Sequence, residues 1–272
     1  MHASRGAWQL GDHTTALALA DEAVAVADIN STTWRDAQIS RSTALAFLGR
    51  LHEAEVAATA GAEPLTDNAD GSSLGRTTVK LLTCNLAGHP DPALARELLR
   101  RAEGSGPSRH AMALHTAAVI CEPGDRTLAI ELNQRAVELA ESTGAVLIKG
   151  FALHSLAVRE AAVNPPAGAA RYVDVMTLYL NVGNGVHLRG LGRGIIMPLV
   201  ACGAHEAAAV VDGATQTDTA VLTALADPIS EALSQAHNEL GASYRTAASR
   251  GEHMTDDELA HYLRHVVADL AV

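Results

Sequence analysis

The sequence predicts an all-α protein made of stacked helix pairs, and three observations predict it. Apolar residues return every third or fourth position along most of the chain, and no stretch alternates with the two-residue period of a strand. Hydrophobic residues make up 48% of the 272 residues but aromatics only 3%, so the interior has to be built from Ala, Leu and Val. Small side chains let helix axes come close, which favours helix-on-helix packing over sheet layers. Capping residues and glycines then cut the chain at regular distances.

The elements follow in order. A short helix is read over 3–10. Asp12 then stands before the spacing Ala16, Leu19, Ala20, Ala23, Val24, Ala27 and caps a helix over 12–28. Helices are read next over 33–48 and 51–61, then over 73–87. Asp91-Pro92 opens 91–103, with the proline at the first helical position, where its missing N–H costs nothing. Pro107-Ser108 opens 107–121 and Gly124-Asp125 opens 125–142. Within the latter, Leu128, Leu132, Ala136, Leu139 and Ala140 make one apolar stripe, and Glu131, Gln134, Arg135, Glu138 and Glu141 lie on the wet side. A helix over 145–162 leads to the break Asn164-Pro165-Pro166, followed by helices over 166–181, 186–202 and 204–215. Gly11, Gly49, Gly88, Gly144, Gly183 and Gly203 sit just after apolar stretches, as helix-ending glycines do.

These segments alternate as first and second helices of successive pairs. The first helices are those at 33–48, 73–87, 107–121, 145–162 and 186–202. Their starts recur about 34 to 41 residues apart, within the roughly 34 to 47 residues of tetratricopeptide and related repeats. One pair cannot bury its own apolar stripe, but stacked neighbours can. The expectation is a tetratricopeptide-like α-solenoid of about six helix pairs with a C-terminal helical cap, a single domain over 1–272 with repeats to about 216 and the cap from about 217.

In that cap, Asp227-Pro228 is read as a capped start for a helix to Leu240, and Gly241 to Gly251 holds a short helix. Met254-Thr255-Asp256-Asp257-Glu258-Leu259 opens the last. Thr255 and Glu258 have capping-box spacing, and Met254 and Leu259 have that of a hydrophobic staple.

The residues Leu240-Gly241, Tyr244, Ala247, Gly251, Met254-Thr255 and Glu258-Leu259 resemble the ending of actinobacterial LuxR-type regulators of the STAND ATPase (adenylate-cyclase-linked) class. Leu188-Arg189, Leu199, Gly203, Glu206-Ala207-Ala208 and Val211-Asp212-Gly213-Ala214 resemble that family's last repeat pair. Gly185 stands where the family has a Trp. Gly190, Gly192, Gly194 and Pro198 interrupt what should be a smooth helix, so a kink or a shortened helix is expected there. The resemblance implies a sensing, autoinhibitory or docking arm of a regulator.

Other classes find little footing. The formal net charge of −11 disfavours nonspecific contact with phosphate backbones, and no basic helix pair reads DNA. Gly185-Val186-His187-Leu188-Arg189-Gly190 has P-loop-like glycine spacing but continues with Leu191 where a lysine is needed. No G-x-S-x-G elbow occurs, so no catalytic residue is assigned. Cys84, Cys121 and Cys202 are odd in number and form no C-x-x-C pair, so neither a disulfide framework nor a zinc knuckle is expected. His261 and His265 share a helix face with Asp257, but the H-E-x-x-H pattern is missing, and no metal or cofactor is assigned. The opening residues carry no apolar signal region, and the longest apolar run falls short of the roughly 20 residues of a membrane span. A cytoplasmic protein is expected.

Charge separates by helix. Arg35, Arg41, Arg76, Lys80, Arg109, Lys149, Arg159, Arg189 and Arg193 lie on first helices, while acids dominate the second helices. In tetratricopeptide stacks the first helices line the concave wall, and by that resemblance Arg76, Lys80, Lys149, Arg189 and Arg193 are candidate binding residues of a mildly positive groove. The groove would take a protein, an acidic peptide or a carboxylate-bearing small molecule through arginine forks. The competing reading is ordinary solvated faces. The function read from all this is a non-catalytic binding sensor or scaffold of a transcriptional or signalling regulator. The alternatives are a stand-alone helical scaffold, or an enzyme or metalloprotein with a site assembled between helices. An incomplete first pair would expose apolar surface, and a homodimer through the N-terminal end is expected on that ground.

Overall fold

The computed structural model describes residues 7, 12–65, 70–121, 125–215 and 226–270. Apart from Ala7, the helix expected over 3–10, Gly11 and the dimer contact expected at that end lie outside the described residues, as does Gly124. The regular elements among the described residues are helices, and no strand occurs among them. No helix among them is long and apolar enough to cross a membrane. The chain divides into two compact units, Met1–Lys149 and Gly150–Val272.

The first unit holds α1 (His13–Val26), α2 (Thr32–Phe47), α3 (Leu51–Gly61), α4 (Gly71–Leu86), α5 (Pro92–Ala102), α6 (Pro107–Cys121) and α7 (Arg126–Ser142). Helix α8 (Val146–Ala161) opens in it and continues into the second. The starts are set locally. Asp12, Asp91 and Asp125 accept from Thr15, Leu94 and Leu128 N–H at 2.9, 2.9 and 3.0 Å, as their positions in the sequence imply. Ser31 and Asp70 cap α2 and α4 in the same way, two caps the sequence reading had not marked. Gly49, Gly88 and Gly144 take φ values of 74°, 85° and 67°, the left-handed conformation that ends a helix without a Cβ penalty.

From α1 to α7 each helix packs on its chain neighbours within that run, and α4 packs in addition on both α2 and α6. Leu74 and Leu81 of α4, Ala95, Leu98 and Ala102 of α5, and Ala113 and Ile120 of α6 form one buried cluster. Leu45 of α2 meets Ala54 and Ala57 of α3 under Leu17 of α1. Burying each leucine is worth roughly 1.5–3 kcal/mol. Two pairs of buried polar groups meet across the seams: Ser42 and Thr83 hydroxyls lie 3.2 Å apart, and His115 Nδ1 lies 3.0 Å from Asn133 Oδ1.

The second unit continues with α9 (Pro165–Asn181), α10 (Gly185–Gly192), a 3₁₀ turn (Arg193–Ile195), α11 (Ile196–Ala201), α12 (His205–Ala214), α13 (Ala226–Leu240), α14 (Ser243–Glu252) and α15 (Asp256–Leu270). The helix expected over 186–202 is interrupted, as its glycines foretold. The interruption lets α9 in close: a Cβ at Gly194 would lie 2.4 Å from the Tyr172 hydroxyl, and one at Gly192 would lie 3.0 Å from Met176. Tyr172, Met176 and Tyr179 of α9 are fully buried, and Tyr179 stacks on His187 at 5.4 Å. One start is corrected: α13 begins at Ala226, so Asp227 lies inside the first turn, where its charge meets the positive end of the helix dipole, and not at the cap.

The last three helices are tied back to earlier ones. Helix α15 packs on α9, and α14 packs on α12. The α12–α14 crossing is very close. A Cβ on Gly213 would lie 1.9 Å from the Ala248 carbonyl oxygen, and one on Gly251 would lie 1.9 Å from that of Val210. The capping box forms as read: Thr255 N–H donates to Glu258 Oε2 at 2.8 Å, and Glu258 N–H to Thr255 Oγ1 at 3.3 Å. Leu259 is buried, and Met254 packs on the cluster of Ala209, Val210 and Ala247.

Candidate functional site

The five cations singled out in the sequence have internal surroundings. Arg76 is buried, its side chain 6% exposed, and it donates to Asp36 at 3.0 Å and Glu63 at 3.3 Å. Lys80 lies one turn on along α4, half-buried. Lys149 pairs with Glu141 at 2.8 Å. Arg189 donates to Asp256 at 2.7 Å and to the Ala214 carbonyl at 3.1 Å. Arg193 donates to Asp212 Oδ1 at 2.6 Å and to the Thr215 hydroxyl at 3.0 Å. Arg76 and Lys80 thus share a face in the first unit. Arg189 and Arg193 come together in the second, at the C-terminal end of α12, where unsatisfied carbonyls favour cations. Four of the five cations hold helices or turns to one another, which a count of charges by helix does not foresee.

Asp212 is the hub of this second-unit network. While Oδ1 takes Arg193, Oδ2 accepts from the Tyr244 hydroxyl at 2.9 Å. Burial pushes the Tyr244 phenol up, and the bond to Asp212 pushes it further, so the hydroxyl stays a donor. This bond sets how α14 lies on α12. With Tyr244, Ala247, Ala248 and Gly251 turned to α12, helical geometry leaves Arg245, Thr246, Ser249 and Arg250 on the other side.

That outward stripe borders a furrow between α13 and α14 with a volume of about 860 Å³, lined by His237, the Gly241-Ala242 turn, Arg245, Thr246, Ser249 and Arg250. The volume falls in the roughly 300–1,000 Å³ range of ligand pockets. Two guanidinium groups, two hydroxyls and an imidazole meet there, and among the described residues the lining contains no carboxylate. Arg250 leans over the Tyr262 ring at 5.4 Å and pairs with Glu206 at 2.9 Å. Both members of that pair are exposed, so it contributes only about 0–1 kcal/mol and is readily exchanged. Guanidinium forks with neighbouring hydroxyls are suited to grip oxyanions. The sequence analysis assigns no binding residue to this region. Its signal was the small-residue spacing Ala247, Ala248, Gly251 behind Tyr244, which marks the covered side of α14 and so the open one.

Other polar groups meet elsewhere. His261 and His265 share a face, their Nε2 atoms 3.0 Å apart. Among the described residues no three His, Cys, Asp or Glu side chains gather in a way that could hold a metal ion. In the first unit, Glu55 lies 2.9 Å from His89 Nδ1. Burial and then the Glu55 charge push the Cys84 thiol up, which keeps it protonated and a poor nucleophile.

What fold and site define is an all-helical protein with a basic, hydroxyl-bearing furrow near its C-terminal end. No protein-family model matches the chain, and no curated protein or solved structure matches it.

Proposed function

We propose that this chain is a non-catalytic binding module of a transcriptional or signalling regulator, a tetratricopeptide-like α-solenoid of about six helix pairs with a helical cap. One observation supports the reading: α4 packs on α2 before it and α6 after it, so these three successive first helices stack while each holds its own partner. The spacing supports the same view. The starts Thr32, Gly71, Pro107, Val146 and Gly185 follow one another at 39, 36, 39 and 39 residues. A stack of this kind presents side chains from successive helices on one continuous surface, which suits binding an extended partner. The resemblance of residues 183–262 to the closing repeats of STAND-type regulators supports a partner in regulation. The partner is a protein, or an acidic peptide or small molecule, bound without direct nucleic-acid or membrane contact in the cytoplasm.

Affinity capture with the full chain from its source cells, followed by calorimetric titration of each recovered protein, tests this. A saturable complex with a regulatory protein, such as an ATPase, a cyclase or a helix-turn-helix protein, is expected. Recovery of no saturable partner, together with turnover of a substrate by the chain alone, would overturn the reading.

A further inference from the structure

We propose that the furrow between α13 and α14 takes an extended acidic segment of a partner protein, with carboxylates at alternate positions held by Arg245 and Arg250. The inference deepens the binding reading above and rests on it. Three features of the furrow carry it.

The first is charge. A chain of net charge −11 places Arg245 and Arg250, with His237 beside them, around one depression whose lining carries no acid among the described residues. Carboxylates of the chain already take Arg76, Lys149, Arg189 and Arg193, whereas Arg245 stands exposed. Arg250 is held by an exposed Glu206, which an incoming carboxylate can replace without uncovering a buried charge.

The second is spacing. Arg245 and Arg250 are five residues apart on one helix, about 7.5 Å along its axis and about 140° around it, so they stand on the two flanks of the outward stripe. In an extended peptide, side chains two residues apart point the same way and lie about 6.8 Å apart. A Glu-x-Glu segment laid along that stripe matches the axial spacing, and the long arginine side chains bend in from its two flanks to meet the carboxylates. Thr246 and Ser249, between them on the same side, are free to bond the peptide backbone of such a segment.

The third is rigidity. Arg250 is steadied over the Tyr262 ring, and α14 itself is fixed on α12 by Gly213, Gly251 and the Tyr244–Asp212 bond. Binding then orders few side chains that were not ordered before, which lowers its entropic cost.

Fluorescence anisotropy on the full chain tests the assignment. The probe is a labelled peptide containing Glu-Ser-Glu flanked by Gly and Ser, and its control has Gln at both acidic positions. The expected result is saturable binding of the acidic peptide, at least about tenfold weaker binding of the Gln control, and at least about tenfold loss in Arg245→Glu. Arg135→Glu, a reversal at an exposed site on α7, is expected to bind like the wild type. Circular dichroism melting checks that each variant is folded, and Arg245→Gln serves if Arg245→Glu is not. Equal binding of both peptides, or full binding by a folded Arg245 variant, overturns the assignment. Inorganic phosphate that displaces the peptide at equal concentration reduces the furrow to a simple anion site and overturns it too. A chain that captures a regulatory partner yet ignores the peptide overturns the furrow alone. Failure in both assays removes the binding module itself.

Discussion

In Met1–Lys149 the helices meet through leucine and alanine side chains, and Arg76 is shared by two acids, Asp36 and Glu63. In Gly150–Val272 the corresponding places are taken by bare backbone and by one acid shared by two donors: Gly213 and Gly251 let α12 and α14 touch, and Asp212 serves both Arg193 and Tyr244. The contrast separates two ways of joining helices. Side-chain seams yield to substitution gradually, since a removed methyl group leaves a small gap that neighbours partly fill. Backbone contact at a glycine has no such latitude, because a carbonyl cannot rotate out of the way.

The largest expected effect follows from that difference. Gly251→Ala puts a methyl group 1.9 Å from the Val210 carbonyl oxygen. It should cost about 3 kcal/mol, the upper end of overpacking penalties, and hydrogen exchange should rise in α12 and α14 but not in α1–α7. Unchanged protection in α14 would show that the crossing is looser than described. Next comes the pair of acids. Asp212→Ala strands a guanidinium and a phenol and should cost about 2 kcal/mol by urea unfolding. Asp36→Ala leaves Arg76 with Glu63 and should cost about 1 kcal/mol or less. Equal losses would erase the distinction between a shared cation and a shared acid.

A fourth substitution reverses sign. Gly75 lies in α4 with open space where its Cβ would be. Gly75→Ala should stabilise by about 0.5–1 kcal/mol through helix propensity alone. The same Gly→Ala change thus damages one unit and strengthens the other, and differential scanning calorimetry of the two variants reads both.

The smallest effect is a pH dependence confined to the first unit. His13 is buried against the Phe47 ring at 4.7 Å, and burial holds its imidazole below the ordinary value while the neighbouring Asp12 charge opposes this. A histidine depressed in the folded state takes its proton first in the unfolded chain. Its contribution is therefore complete above the unfolded value of about 6.5 and is lost as pH falls through it. The urea midpoint should drop between pH 7.5 and 5.5 by less in His13→Phe than in the wild type. Identical drops would mean that His13 plays no part.

Most helix positions were legible before any coordinates. Asp12, Asp91, Asp125, Asn164 and the Thr255–Glu258 box each act within three residues of themselves. The left-handed glycines Gly49, Gly88, Gly144, Gly183 and Gly203 answer to one backbone angle. Asp227 was misplaced because a following proline marks a start only to within a residue or so. The candidate site was much less legible. The five cations were chosen by helix and sign, and neither property says which acid will reach them. The furrow went unseen because its meaning depends on which side of α14 is covered.

Sequence alone thus determined the helical class, the order of the helices and most of their ends, since each rests on contacts that span one turn. Tertiary structure alone decided which stripe of each helix is open and which charges are consumed. Those outcomes hang on partners far along the chain: Asp212 with Tyr244 at a separation of 32 residues, Arg189 with Asp256 at 67, and Gly251 against Val210. Such pairs are selected by how whole helices pack, which no local pattern encodes.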